Sequence, residues 1–160
     1  DNGKNTESAQ VMQYLWTGEW PEHRVPSMSA LTINGLRAQD SVRLIEGHIC
    51  QADVIIENPS EQALKYRWEI MAEVDKSVES DGGDFEPIPE IVWSESSENS
   101  TANIEFAAPS AGEYRLFVYV EDSHDNAATA NVPILVKPAA DVSFIDSMMD
   151  RLKKYFAIST

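Results

Sequence analysis

A single cysteine, Cys50, leaves the chain without an internal disulfide and without the cluster of thiolates that a structural zinc ion needs. Its stability therefore has to come from packing. No apolar run approaches the roughly 20 residues that a membrane-spanning helix requires, and no signal peptide is visible at Asp1, so the chain reads as a fragment of a longer protein. Basic residues are scarce, 12 against 27 acidic ones, which gives a formal net charge of -15 and a sequence pI near 4.4. Polyanions are repelled at long range by such a surface, so neither nucleic acid nor an anionic membrane is an expected partner. Histidine is scarce as well: His23, His48 and His124 fall in a connector, at a strand start and in a turn, and nothing in the sequence pairs them. A nucleophilic site needs a serine or cysteine beside a positioned base, and that pattern is missing.

The 160 residues, 42% of them hydrophobic, suffice for one ordinary domain with a real core and short extensions at either end. Residues 1–10 are polar and read as a mobile tail. Val11, Met12, Tyr14, Leu15 and Trp16 then crowd together in a stretch that predicts a short helix ended by Gly18. Pro21 and Pro26 fix φ and discourage helix, so Glu19 to Pro26 reads as an extended, stiff connector. These features divide the chain into an N-terminal segment over 1–26, a main domain over 27–138 and a C-terminal segment over 139–160.

In the main domain the pattern has period two, with successive side chains on opposite faces of a sheet. Leu31 to Leu36 reads as a first strand. Cys50, Ala52, Val54 and Ile56 share one face of the next, and Leu64, Tyr66, Trp68 and Ile70 alternate cleanly with Lys65, Arg67 and Glu69, which makes Trp68 a core candidate. A variable stretch from Val74 to Ser100 holds a short edge strand at Ile88 to Trp93, and Ala102, Ile104 and Phe106 line a further strand. Tyr114, Leu116, Val118 and Val120 point inward from the following one, with Arg115, Phe117, Tyr119 and Glu121 on its reverse. Asp122 to Asn126 supply turn chemistry, and Ala128, Ala130, Val132, Ile134 and Val136 close the series, with Pro133 demoting this strand to an edge. About seven short strands in series give an all-β, immunoglobulin-like antiparallel sandwich.

Beyond Pro138 the period changes again. Ile145, Met148, Met149, Leu152, Tyr155 and Phe156 recur at helical spacing, Asp141 or Ser143 can cap the start, and Arg151, Lys153 and Lys154 suit the end of the dipole. The result is an amphipathic C-terminal helix whose stripe packs back on the sandwich or on Tyr14 and Trp16, or else makes a partner contact, including a homo-oligomer.

The runs Tyr66-Arg67-Trp68-Glu69-Ile70, Ala111 to Asp122 and Asn126-Ala127-Ala128-Thr129-Ala130 resemble the bacterial Ig-like, cadherin-like and PKD-type sandwich repeats over residues 31–137. The stretch Tyr14 to Pro26 resembles the junction that follows TIM-barrel catalytic modules in some bacterial polysaccharide-degrading glycosidases, where the sandwich is a C-terminal appendage. That resemblance implies a non-catalytic accessory module of a carbohydrate-active enzyme, with an upstream catalytic domain as partner, polysaccharide as a further one, and a secreted, periplasmic or cell-surface location in a bacterium. An adhesion or spacer domain is the rival reading. Where related repeats carry an acidic D-P-x-x-D loop, this chain has Asn58-Pro59-Ser60-Glu61-Gln62, which weakens a calcium site inherited from them.

Sugar recognition rests on exposed aromatic rings with polar groups nearby, and the candidates are Trp16, Trp20, Trp93 and Tyr119, with Phe117 beside the last. Calcium needs clustered oxygen ligands, for which Asp81 and Asp84 in one loop and Asp122 and Asp125 in another have the composition, although turns favour Asp and Gly for backbone reasons alone. No other cofactor is expected. Cys50, inward on its strand, reads as a small core residue. Paired catalytic carboxylates would need a cleft that a small filled sandwich does not offer.

Overall fold

A computed structural model describes residues 3–57, 63–74, 88–96 and 101–139. The expected C-terminal helix lies outside the described residues, as do Asp81 and Asp84. The described chain is an all-β sandwich with one short helix, α1 (Glu7–Thr17), and eight strands: β1 (Ser27–Ile33), β2 (Arg43–Ile45), β3 (Ile49–Glu57), β4 (Lys65–Ala72), β5 (Ile91–Glu95), β6 (Asn103–Ala107), β7 (Gly112–Glu121) and β8 (Ala127–Lys137). One sheet has the order β1-β3-β6 and the other β2-β8-β7-β4-β5.

The two-residue alternation buries what it was expected to bury. Leu116, Val118 and Val120 of β7, Val132, Ile134 and Val136 of β8, and Trp68 and Ile70 of β4 meet Leu31, Ile33, Cys50, Ala52, Val54 and Phe106 from the facing sheet. Trp68 is completely buried, and its indole Nε1 donates to the Thr101 carbonyl at 3.1 Å, so the ring's one polar atom is satisfied inside the core. Cys50 is buried and unpaired, and burial pushes its thiol up from the ordinary value.

The edge strand expected over Ile88 to Trp93 forms instead at Ile91–Glu95, and three further details differ from the sequence reading. The first strand begins just after Pro26 and stops at Ile33, because Asn34 and Gly35 both take positive φ (50° and 78°) in a two-residue turn closed by mutual hydrogen bonds between Ile33 and Leu36. An eighth strand, β2, pairs parallel to β8 through Arg43 to Ile45, a run too short to show periodicity. Third, β8 is a full edge only along its first part. Leu135 donates its amide to Val42 and Ala127 donates its own to Asn5, so the amides two residues apart on that side of β8 face β2 at one end, Asn5 at the other and open space between. Pro133 falls on that side, beyond the reach of β2, and its missing N–H removes no ladder bond.

Candidate functional site

Helix α1 ends as the sequence requires, with Gly18 in the left-handed region (φ 76°) and its amide on the Tyr14 carbonyl at 2.8 Å. What it buries is unexpected. Its one buried side chain is the polar Gln10, whereas Val11, Met12, Leu15 and Trp16 point to solvent, Leu15 at 67% exposure and Trp16 at 79%. An amphipathic helix normally lays its apolar stripe on the core. Here the orientation is inverted.

Gln10 explains how a polar face can dock. Its Nε2 donates to the His23 carbonyl at 2.9 Å and to Asn126 Oδ1 at 3.3 Å, while its Oε1 accepts from the Val25 amide at 3.0 Å and from Arg24 Nε at 3.3 Å. One amide thus joins the helix, the connector and the β7–β8 turn. Asn126, itself buried, donates Nδ2 to Asp122 Oδ2 at 2.9 Å, and Asp122 Oδ1 accepts the amides of His124 at 2.7 Å and Asn126 at 3.1 Å. Ahead of the helix, Asn5 inserts beside the same turn, donating its amide to Asp125 and accepting that of Ala127. Lys4 bridges Asp125 and Glu121. The polar N-terminal residues are therefore fastened at residues 4 and 5, and the connector turns inward, with Val25 and Pro26 buried.

Two further contacts complete the fastening. His23 and His124 stack with ring centroids 3.6 Å apart and planes 11° from parallel, so the structure brings together two histidines that the sequence left unpaired. Trp20 stacks on Tyr14 at 4.5 Å, and the Arg24 guanidinium lies 3.8 Å from its ring centroid. A cleft of about 370 Å³ opens between these elements, lined by Asn5, Gln13, Glu22, His23 and His124 among others.

The sequence-derived site residues separate. Trp16 and Trp20 share the N-terminal segment, but Trp20 is engaged by Tyr14 and Arg24 while Trp16 is bare. Trp93 is half-buried with its ring against Phe106 at the core margin. Tyr119 lies on the outer face of the five-stranded sheet beside Phe117, with the Arg67 guanidinium 3.8 Å over its ring and Arg67 paired to the buried Glu69. Burial, reinforced by the Glu69 charge, pushes its phenol up. No described cluster of His, Cys, Asp or Glu has metal-binding geometry, and the Asp122 and Asp125 carboxylates are held by turn amides, Asn126 and Lys4. Gln10 carried no sequence signal, Asn126 and His124 only that of a turn, and nothing paired the two histidines. Asp122 was legible as a turn residue too.

Burial raises the Asp122 carboxyl, yet its hydrogen bonds from Asn126 and from the two turn amides outweigh burial and leave it below its ordinary value. A depressed folded-state value stabilises the fold above the unfolded carboxylate pKa of about 3.9, and that contribution is lost as the pH falls through the folded value. Asp122→Ala is expected to cost about 1.5–3 kcal/mol near neutrality in urea unfolding, and the difference from the parent should shrink in strong acid. An unchanged difference at low pH would show that the carboxylate charge is not what the turn uses.

No protein-family model matches the chain, and no curated protein matches it. Among solved structures it is similar to fibronectin(III)-like modules from Clostridium thermocellum (16% identity over 73% of this chain and 50% of that one, TM-score 0.43). It is also similar to a nucleoside hydrolase-related hypothetical protein from Saccharophagus degradans associated with carbohydrate metabolism (16% identity, 82% of this chain and 31% of that one, TM-score 0.48). A Niemann-Pick type C2 protein from the Japanese carpenter ant shares 8% identity over 72% of this chain and 95% of its own, with a TM-score of 0.45. The match thus spans half or less of the two bacterial chains. No functional residue is carried over from any of these proteins.

Proposed function

We propose that this chain is a non-catalytic accessory module of a larger carbohydrate-active enzyme, and that it holds a neighbouring domain in fixed orientation. The observation that carries this reading is the inverted helix: α1 is pinned to the sandwich through Gln10 while Val11, Met12, Leu15 and Trp16 face outward in a row. An apolar row that is rigidly held and turned away from its own core is what a docking face looks like before it is covered. The net charge of -15 selects the occupant, because a neutral or basic protein surface can approach where an anionic membrane is repelled. Direct contact with glycan is a second reading, favoured by the bare indole of Trp16.

A Leu15→Glu, Trp16→Glu double variant tests both. Its own stability should stay within about 0.5 kcal/mol of the parent, since both side chains are solvent-facing. Joined to its neighbouring domain, the variant should show a larger maximum dimension by small-angle X-ray scattering than the unmodified protein. Equal dimensions would favour a simple spacer. Soluble glucans that bind the parent but not the variant would move the weight to glycan contact.

A further inference from the structure

We propose that the stacked His23–His124 pair is an acid-sensitive latch that releases the N-terminal segment from the sandwich when both rings are protonated. The inference rests on the fastening role given to that segment, and it adds regulation to it. The two imidazoles join elements that are otherwise distant in the chain, the connector and the β7–β8 turn, face to face at 3.6 Å. Neutral rings, or one neutral and one protonated, stack without penalty. Two imidazolium rings at that separation place like charges in contact, the His124 ring on the exposed turn and the His23 ring half-buried.

The charges around the pair decide how the latch responds. From the turn, Asp122 and Asp125 stand beside His124, and Asp122 accepts the His124 amide. Lys4 partly neutralises the turn by bridging Asp125 and Glu121. On the connector, Glu22 and Arg24 flank His23, and Arg24 is held by Trp20 and Gln10. Helix α1 contributes Ala9, Gln10 and Gln13 to the cleft, none of them charged. A doubly charged pair therefore repels itself and Arg24 together, and the carboxylates offset only part of that repulsion. Separation of the rings relieves that repulsion. It pulls the His23 carbonyl off Gln10 Nε2 and loosens the Val25 amide from Gln10 Oε1, so α1 and its apolar row come free together.

Hydrogen exchange on the isolated full chain tests the latch without any neighbour present, so its failure and that of the docking reading are distinguishable. Between about pH 8 and pH 5.5 imidazole changes charge while Asp122, held below its ordinary value, stays ionised. The expected result is a loss of about tenfold or more in protection, after correction for intrinsic rates, at the amides of Asn5, Val25 and Ala127, with core amides such as Val118 unchanged. His124→Gln keeps a polar side chain and removes one of the two charges, and its protection should change less than twofold over the same range. His23→Gln should behave alike. Thermal melting at pH 8 confirms that the variants are folded. Protection that is insensitive to acid in the parent, or lost equally in the folded variants, would overturn the proposal.

Discussion

Trp68→Ala is expected to destabilise the sandwich by about 3–5 kcal/mol, enough to leave little of the stability of a domain this size. Two losses combine. The ring is fully buried among Ile70, Leu116, Val118 and the facing sheet, so its removal opens a cavity too large for neighbours to fill. The Thr101 carbonyl also loses its donor. Trp68→Phe separates the two effects, because it keeps most of the apolar volume and drops the hydrogen bond; it should cost about 1–3 kcal/mol. Urea unfolding followed by circular dichroism would measure both. A Phe variant as unstable as the Ala variant would show that the indole hydrogen bond, rather than ring volume, holds β4 to the loop before β6.

The second large effect belongs to Gln10→Ala, expected to weaken the fastening of α1 by about 2–4 kcal/mol. The Val25 amide, the His23 carbonyl and Asn126 Oδ1 all lose a partner, and the Val25 amide and Asn126, both buried, are costly to leave unsatisfied. The loss should be local. Exchange protection would fall at Asn5 and Val25 and persist along β4 and β7, and Trp20 fluorescence would shift as its stack with Tyr14 loosens. A variant that keeps full protection at Val25 would show that the two aromatic stacks suffice to hold the helix.

How far the sequence foretold this structure depends on whether a residue's role is local. Alternation is local, and it identified the inward faces of β3, β4, β7 and β8 and the burial of Trp68. The end of α1 was legible for the same reason, since a glycine after an apolar cluster is a backbone signal. Asn34-Gly35 was equally local, a turn signal that a strand reading of Leu31 to Leu36 passed over. Long-range roles were hidden. A glutamine in a helix reads as solvent-facing, and nothing in the neighbourhood of Gln10 announces that it will meet Asn126 from 116 positions away. The histidines likewise look isolated until the turn and the connector are folded against each other. Glu69 sits on the outward register of β4 yet is buried, because Arg67 and the aromatic side chains across from it cover the carboxylate. Trp93 and Tyr119, plausible as sugar platforms from composition, turn out to have a ring or a guanidinium against them.

Pro133 matters for what the folded protein refuses to do. A β-sheet with an open flank invites another chain to add a strand there, which is how soluble domains begin to polymerise into fibrils. Along β8 that invitation is withdrawn twice: by the short parallel cover of β2 at one end, and further along by a residue that has no hydrogen to offer an incoming backbone. Crowded solutions of this protein thus meet a flank where an added strand finds only the short open stretch around Thr129 and Asn131.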